Sequence, residues 1–150
     1  MLFDATHVTP PTLLEHVRDM AEAGCRFVAI SQTVLGEDSL RLQYHFDEHR
    51  TMTELRRSDR MCHLTHARDR GMRHLALEVP RDASVPSITP IYPCAALAEN
   101  ETRDQFGVRF EGLSPDWDGH FLLEGETVRS PLFTMTIVPP RKAPEKEDRP

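Results

Sequence analysis

The chain has 150 residues, 39% of them hydrophobic and 28% charged, with a formal net charge of −6 at pH 7. That is the size of one domain with one ordinary core. An acidic chain repels phosphate backbones, which argues against nucleic acid as a partner, and three widely spaced cysteines make neither a disulfide framework nor an iron–sulfur ligand set.

Met1-Leu2-Phe3-Asp4 lacks the basic start and apolar run of a signal peptide, and no apolar stretch of about 18 residues occurs, so a soluble cytosolic protein is expected. Pro10-Pro11 then leads into Leu13, Leu14, Val17, Met20 and Ala21, an i, i+3/i+4 stripe. With Thr12 and Glu15 as a capping box and Gly24 as the stop, a helix is predicted from about Thr12 to Ala23. Cys25 to Leu35 reads as a strand with Val28, Ile30 and Val34 on one face, and Gly36-Glu37-Asp38 as the turn that follows. Leu40, Leu42, Tyr44 and Phe46 alternate with Arg41, Gln43, His45 and Asp47, the clearest strand in the chain.

Between Thr51 and Ala67 two short strands around Ser58-Asp59-Arg60 are expected, helix being the alternative for either piece. Leu75, Leu77 and Val79 alternate again as far as Pro80. Pro86, Pro90 and Pro93 hold the next stretch extended, and a second helix runs from about Pro93 to Phe106, closed by Gly107. Leu132 to Val138 is a candidate edge strand, and the tail from Pro139 has no apolar periodicity, so residues 1–138 form the domain and 139–150 a disordered tail. The expected fold is α+β: one helix packed on a mostly antiparallel sheet, a short acidic helix, and an irregular C-terminal segment.

Charge is concentrated late in the chain. Between Glu99 and Glu126 eight acids stand against Arg103 and Arg109, a pattern that attracts a basic protein face. On the second helix Glu99 and Arg103 are spaced to pair at i, i+4, while Leu97, Glu101 and Asp104 share another face without a cation of its own. Phe106 suits the core. Trp117 between Asp116 and Asp118 suits an interface, because a ring flanked by two charges does not sit deep in a monomer.

Candidate catalytic sites are thin. No nucleophile elbow and no phosphate-cradling glycine pattern is present. Cys62, His63 and His66 have the nearest thing to metal-ligand spacing, yet on a strand Cys62 and His66 would lie roughly 13 Å apart. The same objection meets His45 and His49, so exposed polar-face histidines are expected. A small metal-dependent enzyme using Cys62, His63 and His66 stays as the alternative from another class.

The ordered set Ser87-Ile88-Thr89, Pro93-Cys94-Ala95, Glu99-Asn100-Glu101, Asp104, Phe106-Gly107-Val108 and Phe110-Glu111-Gly112 resembles the 30-kilodalton subunit of respiratory complex I and of the membrane-bound nickel-iron hydrogenases related to it. The resemblance is clear from Ser87 to Glu124. Two features resemble the energy-converting hydrogenase branch, Asn100 where complex I subunits carry Arg and the Asp-aromatic-x-Gly-His stretch Asp116-Trp117-Asp118-Gly119-His120, while Ser114-Pro115-Asp116 stands where complex I subunits carry His-Pro-Asp followed by arginines. A basic Asp-Tyr-Pro tail is replaced by Ser130-Pro131-Leu132.

The resemblance implies a non-catalytic structural subunit, with no catalytic, cofactor or metal residues of its own, on the cytoplasmic face of the cell membrane. It would dock on the hydrogenase large subunit, which carries the nickel-iron centre, near small subunits carrying iron–sulfur clusters, and meet the membrane ion-pumping subunits only indirectly. Docking would fall on Glu99, Asn100, Glu101, Asp104, Phe106, Gly107, Phe110 and Trp117, with Glu101 and Asp104 meeting arginine or lysine. Ferredoxin, formate or carbon monoxide would supply the electrons of the whole complex. The rival within the family is the same role in a quinone-reducing complex I.

Overall fold

Pro10 and Pro11 open the first helix, at positions where a missing backbone N–H leaves no hydrogen bond unmade. Thr9 is the N-cap: its N–H donates to Thr12 Oγ1 at 3.0 Å, and its carbonyl accepts from Leu13 N–H at 2.9 Å. The helix therefore begins two residues before the predicted start, and Thr12 serves Thr9 rather than heading a box with Glu15. The computed structural model describes residues 4–48, 71–80, 83–123 and 131–134. In chain order these form β1 (Thr6–Val8), α1 (Pro10–Glu22), β2 (Cys25–Val34), β3 (Ser39–Glu48), β4 (Met72–Pro80), β5 (Ser84–Pro86), a 3-10 turn (Pro93–Ala95), α2 (Ala96–Phe106), β6 (Arg109–Glu111) and a helical turn (Pro131–Thr134).

The main sheet has the order β1-β4-β3-β2, antiparallel except for the parallel β1–β4 pair. Cross-strand pairs such as Leu42 with Leu77 and Tyr44 with Leu75 place the alternating side chains of β3 and β4 on one buried face. Leu13, Val17 and Met20 of α1 belong to the same core. The fold is the α+β arrangement the sequence implies, one domain with two principal helices and a largely antiparallel sheet.

β2 departs from the predicted face. Cys25 and Phe27 point inward, then the register shifts between Phe27 and Ala29, so that two residues oppose one and the alternation flips. Ile30 is buried, Val28 is exposed, and Val34, paired with Leu40 at the strand end, is also exposed. β1, with only three residues, escaped the sequence reading altogether, as did the parallel β5–β6 pair. Residues Pro131–Thr134 are helical and lie against α2, which corrects the edge strand expected from Leu132; Pro131 lacks the N–H a ladder needs and suits a first helical turn. The two strands expected between Thr51 and Ala67, residues 135–138 of the edge strand and the 139–150 tail lie outside the described residues.

Candidate docking site

The site is α2 with the segments before and after it. Val85 pairs with Phe110 in the β5–β6 ladder, and Ser87 N–H extends it by donating to the Glu111 carbonyl at 2.8 Å. Ile91 and Tyr92 N–H groups both return to the Ile88 carbonyl, turning the chain into the 3-10 turn that Pro93 starts. Gly107 closes α2 in the left-handed region, φ 75° and ψ 16°, its N–H donating to the Arg103 carbonyl at 2.8 Å. This is the stop the Phe-Gly step predicts.

α2 is polar on its inward side. Glu99, Asn100, Thr102 and Asp104 are all buried, whereas Leu97 is 57% exposed and Glu101 is also exposed. Each buried group has a tether. Ser87 Oγ donates to Glu99 Oε2 at 2.5 Å and Ile88 N–H to Oε1 at 2.8 Å, so the Ser-Ile-Thr lead-in and the first glutamate of the Glu-Asn-Glu step form one contact. Burial pushes the Glu99 carboxyl up to about 7, against the lowering pull of those two bonds. Burial, and secondarily the charge of Glu99, holds the Tyr44 phenol well above its ordinary value; its hydroxyl has no hydrogen-bond partner among the described residues. Gln32 Nε2 donates to Thr102 Oγ1 at 2.6 Å and so ties α2 to β2.

Asn100 and Asp104 hold the loop that follows β6. Asn100 Nδ2 donates to the Ala96 carbonyl at 2.8 Å and the Pro115 carbonyl at 2.9 Å, and its Oδ1 accepts Trp117 N–H at 3.0 Å. Asp104 Oδ2 accepts Leu122 N–H at 2.5 Å and Leu123 N–H at 3.3 Å. Arg103 binds Asp116, and Asp118 at 2.5 Å, and makes no bond to Glu99; the expected i, i+4 pair is corrected because Glu99 has turned into the core. The chain from Pro115 to Leu123 is thus strapped along α2 by three of its side chains.

Of the eight residues expected to dock, Glu99, Asn100, Asp104 and Phe110 are buried, Phe106 is half-buried against the core, and Gly107 acts through its backbone. Glu101 and Trp117 remain exposed; Trp117 stacks on Phe121 with ring centroids 4.7 Å apart. Leu97 and Leu122, 57% and 54% exposed, join them on the surface. The reading of residue types missed the roles of Ser87, as the hydroxyl that receives Glu99, and of Arg103; a hydroxyl twelve residues from a carboxylate leaves no periodic trace.

On the sheet, His45 Nε2 lies 2.7 Å from Ser31 Oγ and its Nδ1 2.7 Å from His74 Nδ1. It is half-buried rather than exposed, and burial, then His74, lowers its pKa. His49, Cys62, His63 and His66 lie outside the described residues. Among the described residues no three His, Cys, Asp or Glu side chains converge on a metal-sized site, and no helix is long and apolar enough to cross a membrane.

Similarity to known proteins agrees with this architecture. The C/D subunit of the NADH-quinone oxidoreductase of Rhodopseudomonas palustris (strain HaA2) is 38% identical over 87 residues, 49% of this chain and 14% of that protein. The C subunit of the NADH-quinone oxidoreductase of Roseiflexus castenholzii is 35% identical over 96 residues, 55% of each chain. The chain thus spans about one seventh of the first relative and about half of the second. A chain in the structure of the membrane-bound sulfane sulfur reductase, an archaeal respiratory membrane complex, shares the fold at a TM-score of 0.61 and 21% identity, over 84% of this chain and 68% of that one. The family model for the 30 Kd subunit of respiratory-chain NADH dehydrogenase matches residues 6–136, nearly the whole chain, and the protein belongs to that family.

Proposed function

We propose that the chain is a non-catalytic structural subunit of a membrane-bound, energy-converting nickel-iron hydrogenase, docked on the hydrogenase large subunit. The observation that carries this is the Asn100 contact. The two features that resemble the hydrogenase branch, Asn100 and the Asp116-Trp117-Asp118-Gly119-His120 stretch, are one packing unit, because Asn100 binds the backbone on both sides of Asp116. An arginine there has no acceptor for Trp117 N–H, so this loop conformation depends on the amide of Asn100. Nickel-iron and iron–sulfur centres belong to the partner subunits in this reading, and the protein reaches the inner face of the membrane through them.

Docking falls on Leu97, Glu101, Trp117 and Leu122, the exposed groups that the buried motif residues carry. The second reading, the equivalent subunit of a complex I-type NADH–quinone oxidoreductase, is favoured by the names of the curated relatives. One experiment separates them. A tagged copy is purified from its own cells and its partners are identified by mass spectrometry, with nickel measured in the same sample. Recovery of a large subunit together with stoichiometric nickel supports the hydrogenase; a large subunit without nickel, accompanied by NADH-oxidising subunits, supports complex I.

A further inference from the structure

His45 and His74 stand directly opposite each other on β3 and β4, on the face of the sheet turned away from the core and α1. Their Nδ1 atoms are 2.7 Å apart and the rings meet edge to face, with centroids 4.9 Å apart. A hydrogen bond at that distance has one ring as donor and the other, bare at Nδ1, as acceptor. His45 is also held on its far side, where Nε2 lies 2.7 Å from Ser31 Oγ. When Nε2–H donates to that hydroxyl, the Nδ1 lone pair is aimed at His74. An outer hydrogen bond of this kind on one ring nitrogen is what orients the other toward a metal ion. Ala29, the residue opposite His45 on β2, adds only a methyl group on that flank. Burial, and after it the neighbouring ring, lowers the pKa of His45, which favours the neutral form that a metal takes.

We propose that His45 and His74 form a two-histidine chelate for one divalent transition-metal ion of the zinc type, with water in its remaining positions. Two nitrogens each about 2.0 to 2.1 Å from one ion are roughly 2.8 to 3.4 Å apart for angles between about 90° and 110°, so the pair needs to open by well under 1 Å. The rings re-aim about χ2, a broad torsion, while their strands stay paired. On entry the ion takes the place of the proton between the two Nδ1 atoms, and the neutral ring that carried it holds its proton on Nε2 instead, so no net proton is released. An all-imidazole set selects zinc-like ions and excludes calcium and magnesium, which take oxygen ligands. The site belongs to the sheet and is independent of the docking reading.

Zinc titration of the full chain, labelled with nitrogen-15 and followed through its imidazole nitrogens by NMR, reads this pair apart from the other histidines and the cysteines. The Nδ1 signals of His45 and His74 are expected to move together and to saturate with one common affinity. His74→Ala is expected to weaken the zinc response at His45 at least about tenfold, because a single imidazole loses the advantage of the second ligand held beside it. His74→Gln, which keeps a polar side chain on the sheet, makes the same comparison should the alanine variant disturb the strand, and the same loss is expected. If the two Nδ1 signals stay in place while zinc reaches millimolar concentration, the pair is a hydrogen bond only and the proposal falls. It falls equally if His45 responds to zinc as strongly in the His74 variants as in the wild type, since one ring then binds alone.

Discussion

Glu99 carries a carboxyl group in the core with two donors, one hydroxyl and one amide, and no cation. Its pKa of about 7 lies above the ordinary value of 4.5, so between those two pH values the folded protein keeps a proton that the unfolded chain has released. Stability from this group is therefore complete below about pH 4.5 and is lost as pH rises through about 7. At roughly 1.4 kcal/mol per pH unit the loss is on the order of 3 to 4 kcal/mol. Glu99→Gln should flatten that slope, so in denaturant melts the wild type should lose stability relative to the variant between about pH 5 and pH 8; parallel slopes would show that another group sets the dependence. Asn100 has no such titration but closes three hydrogen bonds. Asn100→Ala leaves the Trp117 N–H and the Pro115 carbonyl unpaired, at about 1 to 3 kcal/mol, and Asn100→Arg should cost more because the guanidinium cannot accept Trp117 N–H. Melts of the two variants check both the sign and the order.

At the scale of elements, α2 works in reverse of an ordinary amphipathic helix, with Glu99, Asn100 and Asp104 inward and Leu97 outward. Its left-handed end decides where the chain goes next. Gly107→Val forces a β-branched residue to φ near 75° and should destabilise the domain by at least about 1 kcal/mol, whereas Gly107→Asn, which tolerates that region, should cost less; equal melting temperatures for the pair would mean the helix end has relaxed. The helix was legible from Pro93 and Gly107 because caps and stops act locally. Its inward face was not, since Glu99, Thr102 and Asp104 are satisfied by partners far along the chain, such as Ser87, Gln32 and Leu122. The same limit explains β2, where alternation indicated the strand but the shift after Phe27 moved Val28 to the surface. β3 and β4 were readable as strands because Leu40, Leu42, Tyr44 and Phe46, and Leu75, Leu77 and Val79, fall on every second residue along a register without shifts.

For the whole molecule, the buried motif residues hold a loop in place, and under the proposed docking role the exposed side chains that loop presents are what a partner would touch. Trp117 tests this division. Its backbone N–H, not its ring, binds Asn100, so Trp117→Ala keeps the strap and gives up only the stack on Phe121, about 0.5 to 1.5 kcal/mol of folding stability. If the ring anchors the interface, its loss there should be larger, at least about 2 kcal/mol or some thirtyfold in affinity for the large subunit. Asn100→Ala should weaken docking too, but with a matching loss of folding stability, because it acts by releasing the loop. The two variants therefore separate on a plot of binding against melting temperature: Trp117→Ala falls mainly in binding, Asn100→Ala in both. Were Trp117→Ala to bind the large subunit as the wild type does, the docking face would have to lie elsewhere on the domain, away from the loop that Asn100, Arg103 and Asp104 hold against α2.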